Sequence, residues 1–69
     1  MAGRTTLYAI PRLAELRLAR FLTQGQLADK ANVSRAAISA IEAGKKANPE
    51  TVKRLAEALG ITREELIRA

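Results

Sequence analysis

Between Thr23 and Gly44 the chain carries two helix starts, a turn and a helix end in close succession. Thr23 can cap a first helix, and Gln26, three residues on, closes a capping box. Asn32 is one of the few non-glycine residues that tolerate left-handed backbone. Ser34 then caps a second helix, and Gly44 ends it. This order predicts two short helices, about Gln24 to Ala31 and about Arg35 to Ala43, joined by a tight turn. Helix, short turn and helix is the unit that sets a recognition helix into the major groove of DNA.

The flanking sequence also reads as helix. Pro11 suits a first helical turn, where its missing N–H does no harm. Leu13, Leu16 and Arg20, with Arg17 beside them, share one side of a helix ending near Arg20 or Phe21. Further on, Asn48 caps, Pro49 opens, and Val52, Leu55, Ala56 and Leu59 recur at helical spacing before Gly60 closes a fourth helix. Thr62 and Glu65 form a second capping box, starting a short last helix with Leu66 and Ile67. The expected fold is all-α, a compact bundle of five short helices with the helix-turn-helix at its centre. Residues 11–69 are read as that one domain and residues 1–10 as an N-terminal arm. In the arm, Leu7-Tyr8-Ala9-Ile10 is either an extended segment laid on the core or part of a dimer contact, and Arg4 can reach a DNA backbone.

At 69 residues there is room for one domain. Cysteine and histidine are both absent, which excludes disulfides and the usual zinc sites. No glycine-rich phosphate loop and no carboxylate pair in apolar surroundings is present, so neither an enzyme nor a cofactor is expected. No apolar run reaches the roughly 18 residues that span a bilayer, and the first residues lack the apolar segment of a signal peptide. A cytoplasmic protein without membrane contact is the expectation. The net charge of +5 is unevenly placed. Residues 1–46 hold eight bases against three acids, whereas residues 47–69 are balanced at four and four. A basic excess confined to the part with the helix-turn-helix fits a nucleic-acid partner.

Leu16-Arg17, Thr23-Gln24, Leu27-Ala28, Val33-Ser34, Ile38, Ile41-Glu42, Gly44-Lys45, Leu55-Ala56, Ala58-Leu59-Gly60 and Leu66 stand in an order that resembles the phage-repressor/Cro-type (Xre-like) helix-turn-helix family of bacterial regulators. The resemblance runs from about Leu13 to Ile67. It implies a lambda-repressor-like domain, with an ion pair between Arg17 and Glu42 linking the first helix to the end of the third. It also places base contacts at Arg35, Ala36 and Ala40, with Ser34 and Ser39 near the backbone or groove.

Arg35 is the strong reader of that set, able to bond guanine O6 and N7 together; a phosphate contact is its alternative. The alanines offer only methyl contact to thymine and close approach. Phosphate contacts are expected at Thr23, Gln24, Ser34, Lys45 and Lys46. Four residues depart from the family pattern. Phe21 stands where glycine is usual, so that turn differs or Phe21 fills an apolar notch. Gly25 weakens the second helix, Ala43 replaces a frequent asparagine, and Ala36 replaces a polar base reader. A homodimer on a palindrome is expected, with Ile61, Leu66 and Ile67 as its interface. Leu7, Tyr8 and Ile10 rank second for that role, and packing of all six within one monomer is the alternative. The leading expectation is a transcriptional repressor on double-stranded DNA. Its rivals are an antitoxin, anti-repressor or adaptor that holds a protein partner, and a non-specific DNA coat.

Overall fold

Four helix starts in the computed structural model share one chemistry. The side chains of Thr23, Ser34, Asn48 and Thr62 each accept a hydrogen bond from the backbone N–H three residues on, at 2.8–3.0 Å. At Thr23 and Thr62 the bond is returned, because Gln26 and Glu65 accept from the cap's own N–H at 2.8 Å. These bonds satisfy N–H groups that a helix cannot pair internally. The structure describes residues 6–68. They form α1 (Leu13–Ala19), α2 (Gln24–Ala31), α3 (Arg35–Glu42), α4 (Pro49–Leu59) and α5 (Arg63–Arg68).

The ends of α1 to α4 also share one pattern. Each closes with a residue of positive φ: Phe21 and Asn32 at 56°, Gly44 at 114° and Gly60 at 73°. In each case the next residue's N–H reaches back five positions and the left-handed residue's own N–H reaches back three, the paired bonds of a Schellman ending. Gly44 and Gly60 suit this because they have no Cβ to clash. The third helix stops at Glu42, one residue short of the expected Ala43.

Every helix sends at least one side chain to the centre. Leu13, Leu27, Ile38, Val52, Leu55 and Leu66 are fully enclosed, and Ala28 and Ala31 let α2 lie close to its neighbours. Complete burial of a leucine or isoleucine stabilises by about 1.5–3 kcal/mol, and this packing holds five otherwise marginal helices together. Leu66 therefore cannot serve as the dimer-interface residue expected of it. Of that trio, Ile61 and Ile67 are half-buried and still reach the surface.

The start of α1 also moves. Tyr8 pairs with Ala47 as an antiparallel bridge, and Ile10 is buried in the core. Of the N-terminal residues, 6–10 lie along the domain as an extended segment, while Arg4 lies outside the described residues. Because the chain turns after the buried Ile10, Leu13 N–H bonds Ile10 O at 3.3 Å and α1 begins at Leu13, not Pro11.

Candidate nucleic-acid interface

Helix α3 presents two different sides. Ile38 and Ile41 point inward, while Arg35, Ala36 and Ser39 are exposed and Ala37 and Ala40 lie at the margin. The outer surface is almost bare: past Arg35 it offers methyl groups and one hydroxyl. Next to it runs a groove of about 510 Å³ whose lining includes Ser34, Ala36, Ala40, Lys45 and Lys46. Asn48 and Thr51 of the α4 start complete its far wall. Arg35 and Ser39 are exposed on α3 outside this lining, and Thr23 and Gln24 sit at the start of α2.

The starts of α2 and α3 differ in charge from those of the other helices. The ion pairs found among the described residues are Arg12–Glu15, Arg17–Glu42 and Arg54–Glu50, so Arg35, Lys45 and Lys46 are without an acidic partner. The first turns of α2 and α3 hold no acid, whereas Glu15, Glu50 and the Glu64–Glu65 pair occupy those of α1, α4 and α5. The positive ends of α2 and α3 are therefore left uncompensated. Thr23 and Ser34 accept from the backbone as caps, which leaves each hydroxyl proton free to donate.

One polar cluster holds this surface to the body. Arg17 Nε donates to Glu42 Oε2 at 2.7 Å and Nη2 to Oε1 at 3.1 Å, a two-pronged pair with side chains only 12% and 11% exposed. Arg17 Nη1 also donates to Leu22 O at 2.8 Å, fastening the α1–α2 turn. Gln24 Nε2 donates to Glu42 Oε1 at 2.9 Å. Glu42 thus joins α1, α2 and α3. The hydrogen bond from Arg17 lowers the Glu42 carboxyl below its ordinary value, and the bond from Gln24 and the Arg17 charge add to this against the cost of burial. The same pair raises Arg17. Gln24 has one amide proton committed to Glu42, and its second, with its backbone N–H, remains for an outside acceptor.

Two residues did not stand out in the sequence for the work they do. Arg20 donates to Leu59 O at 2.8 Å and Leu16 O at 2.9 Å, joining the ends of α1 and α4. Arg54 donates to Asn32 O at 2.8 Å, bracing the turn between α2 and α3. Arginines so placed in sequence look like solvated surface; only the fold brings the carbonyls to them. Phe21 does not fill a notch. It is 92% exposed, and Leu18, three residues earlier, is 59% exposed.

The family to which this geometry belongs is also evident in sequence comparison. The sequence model of the helix-turn-helix family matches residues 13–66. The chain belongs to that family, in its Cro/C1-type, Xre-like branch of DNA-binding regulators. It is 47% identical over 60 residues to the uncharacterized HTH-type transcriptional regulator RghRB of Bacillus subtilis (strain 168). That match takes in 84% of this chain and 43% of the relative, so the chain spans less than half of that protein's length. No solved structure matches. Among the described residues, no helix is long and apolar enough to cross a membrane.

Proposed function

We propose that this chain is the sequence-specific, double-stranded DNA-binding module of a transcriptional repressor, with α3 in the major groove. What carries the reading is the surface of α3 and its following loop, where Arg35, Lys45 and Lys46 stand unpaired beside a nearly bare alanine face. Small side chains let the helix sit deep, and Arg35 is the group able to bond a guanine with two donors. Thr23, Gln24, Ser34, Lys45 and Lys46 take phosphates. Ala36, Ala40 and Ser39 contribute methyl contact or nearby groove contacts, so much of the discrimination falls to DNA shape. One protomer makes a small DNA interface, and a two-fold dimer on a palindrome, with half-sites about 34 Å apart, enlarges it. Ile61 and Ile67 are the residues we assign to the dimer surface.

Selection from a randomised duplex pool, run beside Arg35→Ala, tests this. The expected result is a palindromic motif whose G·C preference disappears in the variant, with a loss of about 1–3 kcal/mol on the parent site. A folded protein that enriches no motif overturns the reading. The exposed Leu18 and Phe21 favour a second one, in which the module holds a protein partner through the α1–α2 turn.

A further inference from the structure

The loop from Ala43 to Asn48 carries Lys45 and Lys46 from the end of α3 to the start of α4. It is short of internal structure, and its two ends are fastened locally. Lys45 N–H bonds Ala40 O at 2.9 Å, and the Asn48 side chain caps Thr51 N–H at 2.8 Å. Between them Ala47, only 4% exposed, gives both its backbone groups to a residue far away in the chain. Tyr8 N–H donates to Ala47 O and Ala47 N–H donates to Tyr8 O, each at 2.8 Å. Tyr8 and Ile10 turn inward while Leu7 and Ala9 are exposed, the alternation of an extended segment. The Tyr8 ring shares a small cleft with Pro49, Val52 and Ile67. The segment is held from both sides.

We infer that the Tyr8–Ala47 pair is a latch that positions Lys45 and Lys46 for DNA phosphates, making Tyr8 and Ala47 positioning residues that act through their paired backbones. This rests on the DNA-binding reading above. Two lysines on a free loop must be ordered when they bind, and that ordering opposes association. With Ala47 clamped, the loop backbone beside the lysines is already in place before DNA arrives. The latch acts on phosphate binding alone, since Arg35 stands at the opposite end of α3 on its own cap.

The test measures the affinity of the full chain for its selected duplex over a salt series. Tyr8→Pro deletes the N–H donor, Tyr8→Phe keeps both backbone bonds, and Leu59→Ala weakens the core at the far end of α4. Tyr8→Pro is expected to flatten the slope of log affinity against log salt by about 0.9 for each lysine that no longer neutralises a phosphate. Its ranking of operator variants stays that of the parent, and Tyr8→Phe and Leu59→Ala keep the parent slope. If Tyr8→Pro does not fold, a synthetic chain with an ester in place of the Leu7–Tyr8 amide removes the same N–H and keeps every side chain. A folded latch variant with the parent slope overturns the inference and leaves the DNA-binding reading standing. Absence of salt-dependent DNA binding by the parent chain overturns both.

Discussion

Phe21 and Asn32 hold the same place, with the same φ of 56°, at the ends of two successive helices. The bond pattern around them is also the same. Phe21 N–H bonds Leu18 O at 2.9 Å and Leu22 N–H bonds Arg17 O at 3.2 Å; Asn32 N–H bonds Asp29 O at 3.3 Å and Val33 N–H bonds Ala28 O at 3.0 Å. Asparagine enters this region readily, but an L-residue with a bulky side chain meets a penalty of about 1–2 kcal/mol there. Nor does burial compensate Phe21, whose ring stands in solvent. The α2–α3 turn suits its own Asn32, and Arg54 adds a brace to the Asn32 carbonyl from α4. The α1–α2 turn runs against the preference of Phe21 and is held by Arg17 on Leu22 O and by Arg20 on Leu59 O.

The most damaging way to break this contrast is to remove what holds the first turn. Arg17→Ala and Glu42→Ala should each lower stability by about 3 kcal/mol, because each strands a charge that is mostly buried. The double variant should lose clearly less than the two added together. Denaturant unfolding of the four proteins measures this, and additive losses would mean that the pair acts as two independent charges.

Acid offers a route to the same pair. A carboxyl held below its ordinary value of 4.5 stabilises the folded state above that pH, and the contribution is lost as pH falls through the depressed value. Arg17 keeps its charge throughout. Stability should accordingly decline below about pH 4.5 in the parent, and Glu42→Gln should remove this part of the decline. Thermal melts from pH 7 downward decide it; parallel curves for parent and variant would contradict the assignment.

At the second turn, Asn32→Ala should cost about 1 kcal/mol, and Asn32→Gly almost nothing. At the first the sign reverses. Phe21→Gly should raise stability by about 0.5–1 kcal/mol, the relief of left-handed strain exceeding the added freedom of the unfolded chain. A loss on Phe21→Gly would show that the ring is held by a stabilising neighbour. A small gain is expected in the helix between the turns. A Cβ at Gly25 would meet only Thr23 Oγ1, at 3.9 Å, so Gly25→Ala should add about 0.5 kcal/mol. Melting temperatures rank all four, and a destabilised Gly25→Ala would point to a need for bare backbone at the start of α2.

Much of the architecture is legible in the sequence. Thr23, Ser34, Asn48 and Thr62 announce helix starts because a cap and its N–H partner lie three residues apart in the chain. Val52, Leu55, Ala56 and Leu59 announce a buried face for the same reason, since helical spacing is a local property. The interface was legible in a different way. The exposure of Arg35, Ala36 and Ser39 follows once Ile38 and Ile41 face the core, whereas the roles on DNA proposed for them rest on family resemblance. Pro11 misled, because a residue favoured in a first helical turn is equally at home in the turn before it. Leu66 and Ile67 are adjacent and both apolar, and nothing in that pair of letters says which one the core encloses.

What the sequence determined by itself is local: where four helices begin, the Asn32 turn, the apolar stripes and an excess of positive charge in the part that carries α3. Each depends on residues within about one turn of one another, so chain proximity is enough to specify it. What the tertiary structure decided is the set of partnerships between residues distant in the chain. Glu42 receives bonds from Arg17 and Gln24, Arg20 finds Leu59 O, Tyr8 closes on Ala47, and Phe21 is held in a conformation it does not prefer. These depend on how five helices pack around Leu13, Leu27, Ile38, Leu55 and Leu66. Backbone carbonyls are the same at every residue, and only packing decides which of them a given side chain will meet.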